Sequence, residues 1–354
     1  MDHRSRRDRL RSRLADLGVE AFLATANPNV RYLTGFTGSN GQILVSEEWD
    51  VFLTDGRYET QAAREVEGTE RAVYLAEFAP ALARACERLG VRRVAFESTH
   101  VTVARHEDLS VACDLVPARG EVEALRRAKD EDERRRLREA QSISDAAFER
   151  ILERVRAGVT ERELAVDLES TMRRLGAEDR AFETIVAFGS SAAEPHHAPT
   201  DRELKQGDVV KMDFGALADG YHADMTRTVF LGRPSDRLRD VYELVRSAQQ
   251  AGIDAMRSGA TEGAVDAAAR DPIEEAGFGP AFPHGLGHGV GLEIHEGPWL
   301  RRGGTDTVPA GAVITVEPGI YLEGVGGVRI EDMVEVGEDG PRPLPTSPKE
   351  LIVL

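Results

Sequence analysis

The first 120 residues alternate short apolar runs with segments of helical periodicity. Five runs rich in β-branched and aromatic residues predict strands, and two segments, 56–66 and 79–90, predict helices. The predicted strands are "EAFLAT", "GQILVS", "DVFLTD", "RAVYLAE" and "RRVAFES". Strands interleaved with helices in this way predict an α/β domain with a mixed sheet over residues 1–120.

A charge-dense stretch follows, "RGEVEALRRAKDEDERRRLREAQS". Its composition predicts a linker helix over about 121–142, which leads into a second domain over 121–354. Apolar and small residues recur at helical spacing through this region, and Gly158 is expected to end the helix. The predicted buried face consists of Leu137, Ala140, Ser144, Ala147, Ile151 and Val155.

The second domain contains an internal repeat. "AGVTERELAVDLESTMRRLG" and "SGATEGAVDAAARDPIEEAG" share the order glycine, capping threonine, acidic first turn, helix and glycine. Thr160 and Glu163 fit a capping box in the first copy. Each copy leads into a pair of strands that carries carboxylates, so we predict a duplication about a pseudo-twofold axis.

The first strand pair contains "MDFGALADGYHADMTRT". Asp219-Gly220 is a strong turn signal, and folding there places Asp213 opposite Asp224 or one diagonal step away. Two like charges at that spacing are costly unless a positive group lies between them.

The second pair consists of "VITVEPGIYL" and "GGVRIEDMV", joined by a glycine-rich loop around Gly324. A hairpin centred on that glycine places Glu317 opposite Glu331. Two related halves would therefore bring four carboxylates to one cavity.

Four carboxylates in one partly buried cavity must take up protons or bind cations, and two divalent cations would balance their charge. Neutral ligands are available in "PHGLGHGVGLEIHEGP", which contains His284, His288 and His295. Its glycines exclude a helix and allow the backbone to approach a site closely. Imidazole and carboxylate ligands suit manganese, cobalt, iron or zinc better than calcium. Two such metals could hold a hydroxide between them.

Each of these motifs alone has an ordinary structural explanation. An aspartate near a turn is usually a turn residue, a lone histidine is usually structural, and "RIED" resembles any solvated charged stretch. The order of the motifs and their matched hairpin geometry favour the metal site instead.

Composition narrows the function classes. The chain has 354 residues, 41% of them hydrophobic and 30% charged, with a net charge of −17, which argues against nucleic acid as a partner. No apolar run approaches the ~20 residues of a membrane span, and the basic N-terminus lacks the apolar core of a secretory signal. Cys86 and Cys113 lack metal-site spacing and indicate thiols in a cytoplasmic protein.

The motifs "DFGALADGYHADMTRT", "HGLGHGVGLEIHE", "VEPGIYL" and "GGVRIED" together resemble the pita-bread metallopeptidases, which include aminopeptidase P and prolidase. "NPNVRYLTGFTGSNG" and "TDGRYETQA" resemble the creatinase-type domain that precedes the catalytic domain in Xaa-Pro peptidases. The resemblance covers the whole chain and implies an α/β N-terminal domain followed by an α+β pita-bread domain.

The family's five metal ligands match Asp213, Asp224, His288, Glu317 and Glu331. Chemistry and resemblance agree on bridging roles for Asp224 and Glu331 and a proton-transfer role for Glu317.

Further roles follow from the resemblance. His295 would stabilise the oxyanion, and His196 would contact substrate, although His197 beside it leaves that choice open. His284 would shape the site, and Tyr321 and Arg329 would orient the carboxylate ligands.

The resemblance implies an Xaa-Pro aminopeptidase that uses two divalent metals, with Mn²⁺ as first choice and Co²⁺, Zn²⁺ or Fe²⁺ as alternatives. Related dipeptidases often carry an arginine where this chain has Trp299, which favours the aminopeptidase over an Xaa-Pro dipeptidase. A non-catalytic binding protein of the same fold is a further alternative. The expected partners are peptides with proline second and another copy of the chain in a homodimer.

Overall fold

The computed structural model describes residues 1–354 and divides them into two compact units, Met1–Arg126 and Arg127–Leu354. None of its helices combines the length and apolar character that crossing a membrane requires.

The N-terminal unit is built on one six-stranded sheet with the order β4-β3-β2-β1-β5-β6. Its strands are β1 (Ala21–Ala24), β2 (Gly41–Ser46), β3 (Asp50–Asp55), β4 (Glu70–Tyr74), β5 (Arg93–Glu97) and β6 (Asp114–Ala118). Its helices are α1 (His3–Arg11), α2 (Leu14–Leu17), α3 (Asn27–Thr34), α4 (Glu59–Glu65), α5 (Phe78–Leu89), α6 (Val103–Leu109) and α7 (Glu121–Arg126).

The sheet is mixed, as the sequence predicts. Strand β2 pairs antiparallel with β1 and β3, whereas β3–β4, β1–β5 and β5–β6 are parallel pairs. The five predicted strands correspond to β1–β5 and the two predicted helices to α4 and α5. Cys86 is buried in α5 and Cys113 is partly exposed, and both are free thiols.

The C-terminal unit, residues 127–354, contains four long helices and fourteen short strands. The helices are α8 (Glu131–Ile151), α9 (Glu161–Arg174), α10 (Asp236–Ala255) and α11 (Glu262–Glu275). The strands before α10 are β7 (Asp179–Arg180), β8 (Ile185–Phe188), β9 (Val209–Phe214), β10 (Ala216–Ala218), β11 (Tyr221–His222) and β12 (Met225–Phe230). Those after α11 are β13 (Gly287–Gly289), β14 (Glu296–Leu300), β15 (Val313–Val316), β16 (Gly319–Leu322), β17 (Gly326–Arg329), β18 (Asp332–Gly337), β19 (Gly340–Pro343) and β20 (Ile352–Val353). Short 3-10 turns cover Leu152–Arg154, Gly189–Ala193 and Gly279–Ala281.

The charged stretch predicted as one linker helix forms parts of two helices. Helix α7 ends at Arg126, and α8 begins at Glu131 behind a capping box formed by Asp130 and Glu133. All six residues of the predicted face, including Val155, are buried. The α-helix itself ends at Ile151 and is followed only by a 3-10 turn over Leu152–Arg154, so the prediction that the helix runs to Gly158 is wrong.

A long-range pairing lies at the predicted end of the helix. The Gly158 N–H donates to the Leu204 carbonyl, and the Leu204 N–H donates to the Val159 carbonyl. The Gly158 N–H therefore bonds to a distant segment and not to a carbonyl group of a preceding helical turn.

The internal duplication is confirmed by matched elements. Thr160 caps α9 and Thr261 caps α11, and each threonine also bridges to a later segment, at Glu203 and Thr307 respectively. The Thr160 capping box with Glu163 is present. Antiparallel strands then follow in the same order, β8-β9-β12 in the first half and β13-β15-β18 in the second. Two hydrophobic cores lie between these sheets and their helices.

The first hairpin turns at Asp219 and Gly220, whose φ angles are 47° and 74°. Two successive positive φ values are the signature of a type I′ turn, which suits the twist of paired strands. Asp213 pairs with Thr226, so Asp224 lies one diagonal step from Asp213. The diagonal form of the predicted arrangement is therefore confirmed.

The second hairpin turns around Gly324, which has φ 72°. Val316 pairs with Asp332 on one side of the carboxylates, and Gly319 pairs with Arg329 on the other. The same register places Glu317 opposite Glu331, as predicted.

Candidate active site

The five predicted ligands come from five points on the two related sheets and line one cleft. Both halves contribute, because the strand ends that carry these residues meet at the same place. Asp213 is the second-last residue of β9, Asp224 precedes β12, His288 lies in β13, Glu317 follows β15, and Glu331 precedes β18. All are buried except Glu317, which is partly buried.

Three of the five lie closest together. One ligand atom from each of Asp224, His288 and Glu331 falls within 4.8 Å of the others. The Nε2 atom of His288 lies 3.6 Å from Asp224 Oδ2 and 3.4 Å from Glu317 Oε1. Asp213 accepts a hydrogen bond from Arg329, which also donates to Thr226, and the Thr226 hydroxyl donates to Glu331.

The tautomer of His288 follows from its other nitrogen. Nδ1 lies 3.1 Å from the Gly289 carbonyl oxygen, which can only accept a hydrogen bond, so Nδ1 carries the proton. Nε2 then faces the carboxylates of Asp224 and Glu317; it donates to Glu317 when it is protonated and offers a lone pair to a cation when it is not. A lone pair among carboxylates is the arrangement of a metal ligand whose other nitrogen is fixed by a backbone oxygen.

The carboxylates cannot all be ionised without a compensating charge. Burial, together with the charges of Glu331, Asp213 and Glu317, raises the pKa of Asp224 well above its ordinary value. Burial and the charges of Glu317 and Asp213 raise the pKa of Glu331 in the same way. For Glu317, burial is outweighed by the hydrogen bond and charge of His288, and its pKa is lowered.

The donor set fits divalent cations. Asp213 Oδ1 and Glu331 Oε1 are buried oxygens with no hydrogen-bond partner. Buried polar atoms are nearly always partnered, and carboxylate oxygens left free beside an imidazole lone pair are suited to metal coordination.

A hydrogen-bond chain supports the carboxylates from behind. The Arg329 guanidinium donates to Asp213 and, at 2.8 Å, to the hydroxyl of Tyr321. The Tyr321 hydroxyl in turn lies 2.9 Å from His284 Nε2. Burial opposes the charge of Arg329, but the negative groups around it hold its pKa well above its ordinary value, so the guanidinium is a permanent donor.

The remaining histidines occupy different environments. His295 lines the cleft, with its ring centroid 4.4 Å from that of His288. Both His196 and His197 line the cleft, but His196 is exposed and His197 is buried. His197 is held by Glu161 at 2.9 Å and Glu194 at 2.7 Å. This arrangement favours His196 over His197 as the substrate contact.

The glycines around His288 are required by close backbone packing. A Cβ atom at Gly287 would lie 1.9 Å from the Thr315 carbonyl oxygen, and one at Gly289 would lie 2.3 Å from the Gly297 carbonyl oxygen. Any side chain at either position would push His288 out of its strand.

Three polar residues of the site were missed by the sequence analysis. Thr226 donates to Glu331 at 2.6 Å, and Thr315 donates to Glu317 at 3.1 Å. Lys211 is fully buried, with its amine 5.1 Å from the centre of the Tyr321 ring. Each lies two residues from a predicted ligand, so strand alternation places it on the same face and could have identified it.

The cleft has a volume of about 700 Å³ and is largely apolar away from the carboxylates. Phe182 and Ile185 form one wall, where Ile185 pairs with Asp213. Trp299 belongs to another wall, with its ring centroid 6.3 Å from that of His288. Arg301, an exposed cation, also lines the cleft.

Comparison with known proteins places this geometry in context. Residues 135–338 match the family model described as Metallopeptidase family M24. Residues 6–128 match the model described as Creatinase/Prolidase N-terminal domain. The first match lies within the C-terminal unit, and the second corresponds to the N-terminal unit.

Individual relatives are similar along nearly the whole chain. The uncharacterized peptidase YqhT of Bacillus subtilis is 41% identical over 350 residues, covering 98% of this chain and 99% of the relative. The solved structure of an Xaa-Pro dipeptidase from Bacillus anthracis has a TM-score of 0.98 and 40% identity, covering 99% of this chain and 100% of the other. That of an X-Pro aminopeptidase from Thermotoga maritima has a TM-score of 0.90 and 38% identity, covering 98% and 99%.

Proposed function

The chain belongs to metallopeptidase family M24, and from this premise we propose that it is a metal-dependent exopeptidase that cleaves the bond between an N-terminal residue and a following proline. The observation that carries the proposal is the convergence of four carboxylates and the His288 lone pair on one cleft, with two buried carboxylate oxygens left without partners. A bond to proline has no N–H, so peptidases that grip that donor cannot process it.

Asp213, Asp224, His288, Glu317 and Glu331 would hold two divalent cations. Mn²⁺ is our first choice, and Co²⁺, Zn²⁺ and Fe²⁺ suit the same ligands. When bound, such cations activate water at neutral pH and polarise the scissile carbonyl group.

The protein's own side chains supply binding, orientation and proton transfer. A carboxylate oxygen of Glu317 accepts a proton from the attacking water and delivers it to the leaving imino nitrogen. His295 donates to the carbonyl oxygen as negative charge develops on it. His196, which lines the cleft, contacts the substrate, while Arg329, itself bonded to Tyr321, keeps Asp213 in place.

Within this class we propose an aminopeptidase that accepts peptides longer than two residues. Trp299 occupies the position at which related dipeptidases often carry an arginine, and it offers an apolar surface where a dipeptide would need a cation for its terminal carboxylate. An Xaa-Pro dipeptidase is the second candidate, because Arg301 brings an exposed guanidinium to the same cleft.

Kinetics on matched substrates separate the two. We expect a higher kcat/KM for Ala-Pro-Ala than for Ala-Pro, and a similar small loss on both substrates in Arg301→Ala. A higher kcat/KM for Ala-Pro, lost selectively in Arg301→Ala, would replace the aminopeptidase with the dipeptidase. Failure to cleave either peptide in the presence of all four metals would refute the proposal as a whole.

A further inference from the structure

Lys211 lies on β9, two residues before Asp213, and its side chain is completely buried. Its amine donates to the carbonyl oxygen of Glu194 at 2.5 Å and faces that of Pro195 at 3.5 Å. It also lies 5.1 Å from the centre of the Tyr321 ring. The hydrogen bonds of this lysine thus go to the backbone of one segment, the one that leads into His196.

Burying the amine of a lysine in a strand costs free energy, because the amine loses its contacts with water. The amine of Lys211 is removed from water, and its hydrogen bonds go to the backbone carbonyl oxygens of Glu194 and Pro195. An apolar residue of similar length would fill the same space without this desolvation cost. The N–H groups of the amine are therefore the feature that distinguishes lysine from an apolar residue here.

The segment around His196 is fixed on both sides. Arg329 Nη1 donates to the Pro195 carbonyl oxygen at 3.3 Å, and the amine of Lys211 holds the preceding carbonyl. On the far side, the His197 ring is held by Glu161 at 2.9 Å. The backbone before and after His196 is thereby fixed, while its own side chain remains exposed in the cleft.

We propose that Lys211 is a positioning residue that acts through His196, by holding the carbonyl groups of Glu194 and Pro195 so that the imidazole meets the bound peptide. The inference rests on the proposed function, since it takes His196 as a substrate contact. It gives Lys211 no direct contact with substrate and no part in holding the cations.

A double-mutant cycle tests the coupling. Lys211→Met keeps the length and apolar stem of the side chain and removes its N–H donors. We expect kcat/KM on the best Xaa-Pro peptide to fall about 10-fold in Lys211→Met, because small displacements of a contact are costly in catalysis. In a His196→Ala background the same substitution should cost less than about 2-fold, because its route of action is gone. An equal loss in both backgrounds would overturn the proposal.

A second measurement does not depend on catalysis. Hydrogen exchange followed by mass spectrometry should show faster exchange in residues 189–199 of Lys211→Met, with the metal content of the loaded protein unchanged. Unchanged exchange in this segment, or loss of bound metal, would contradict the positioning role. If Lys211→Met does not fold, Lys211→Gln gives a milder variant, because it keeps an N–H donor. Its exchange in residues 189–199 should still be faster than in the wild-type protein.

These readouts keep the two proposals apart. If the wild-type protein cleaves no Xaa-Pro peptide, the proposed function fails, while the exchange experiment still decides whether Lys211 orders the segment. If the protein is active but the cycle is additive, only the role of Lys211 fails.

Discussion

The hydroxyl group of Thr226 donates a 2.6 Å hydrogen bond to Glu331 Oε2, and this contact joins the two halves of the duplicated unit. The same hydroxyl accepts from Arg329 Nε at 2.9 Å. The other oxygen of Glu331, Oε1, is buried without a partner. Thr226 therefore fixes one carboxylate oxygen and leaves the second for a cation.

Thr226→Val should weaken the metal site without removing a ligand. The substitution preserves shape but deprives Glu331 of its donor, and loss of such an outer contact typically costs 10- to 100-fold in metal affinity or activity. Metal titration followed by isothermal calorimetry measures the change. Thr228→Val is the matched control. Thr228 lies on the same strand as Thr226, but its hydroxyl donates to the main-chain carbonyl of Arg329 and not to a carboxylate. Equal effects of the two variants would show that Thr226 has no special role.

The two adjacent histidines should separate function from stability. His196→Ala should lower kcat/KM with little change in the free energy of unfolding, because His196 is exposed in the cleft. His197→Ala should destabilise the fold by roughly 1–3 kcal/mol, because it removes a partner of the buried Glu161. Urea denaturation and steady-state kinetics on both variants test this. The reverse pattern would exchange the roles of the two residues.

The stabilisation from His197 should depend on pH. Burial opposes its charged form, but hydrogen bonds to Glu194 and Glu161 outweigh burial and raise its pKa above 6.5. A group whose pKa is raised by folding stabilises the folded state fully at pH values below its unfolded-state pKa. This stabilisation is lost as the pH rises through its folded-state pKa. The stability difference between wild type and His197→Gln should therefore be largest below pH 6 and shrink towards alkaline pH. A difference that grows with pH would contradict this electrostatic account.

The first hairpin should depend on its glycine. Gly220 has φ 74°, and Gly220→Ala should cost about 1 kcal/mol in the free energy of unfolding, because residues with a Cβ atom are strained in that region. Gly56→Ala is the control, since a Cβ atom there meets nothing within 4 Å and its φ is not positive. Chemical denaturation measures both variants. Indistinguishable free energies would show that the turn does not demand glycine.

The hairpins were predictable because local chemistry sets their register. Asp219 and Gly220 specify a type I′ turn, and once the turn is placed, strand pairing brings Asp213 close to Asp224. The glycine loop near Gly324 does the same for Glu317 and Glu331. Period-two alternation carries this information along the chain without reference to the rest of the fold.

Features that depend on distant partners were not predictable. The α-helix ends at Ile151, although apolar residues continue at helical spacing to Val155, and Gly158 pairs with the distant Leu204 and not with a helical turn. The burial of His197 depends on its contact with Glu161, which lies 36 residues earlier in α9. Both contacts join residues far apart in the sequence within the first half of the duplicated unit, so they form only when that half folds.

The central claim is that the five converging side chains bind two divalent cations on which turnover depends. Asp224→Asn or Glu331→Gln should abolish turnover, while the circular dichroism spectrum remains that of the folded protein, because each substitution removes one bridging oxygen and one charge. Asp339→Asn, which removes an exposed carboxylate with the same change in charge, should behave like wild type.

The most direct test is the metal stoichiometry of Mn²⁺-loaded, dialysed protein, measured by inductively coupled plasma mass spectrometry for wild type and Glu331→Gln side by side. The account predicts about two Mn²⁺ ions per wild-type chain, and fewer ions with no turnover in the variant. Wild-type protein that retains full peptidase activity with no bound metal, or a Glu331→Gln variant that keeps both ions and full turnover, would contradict it.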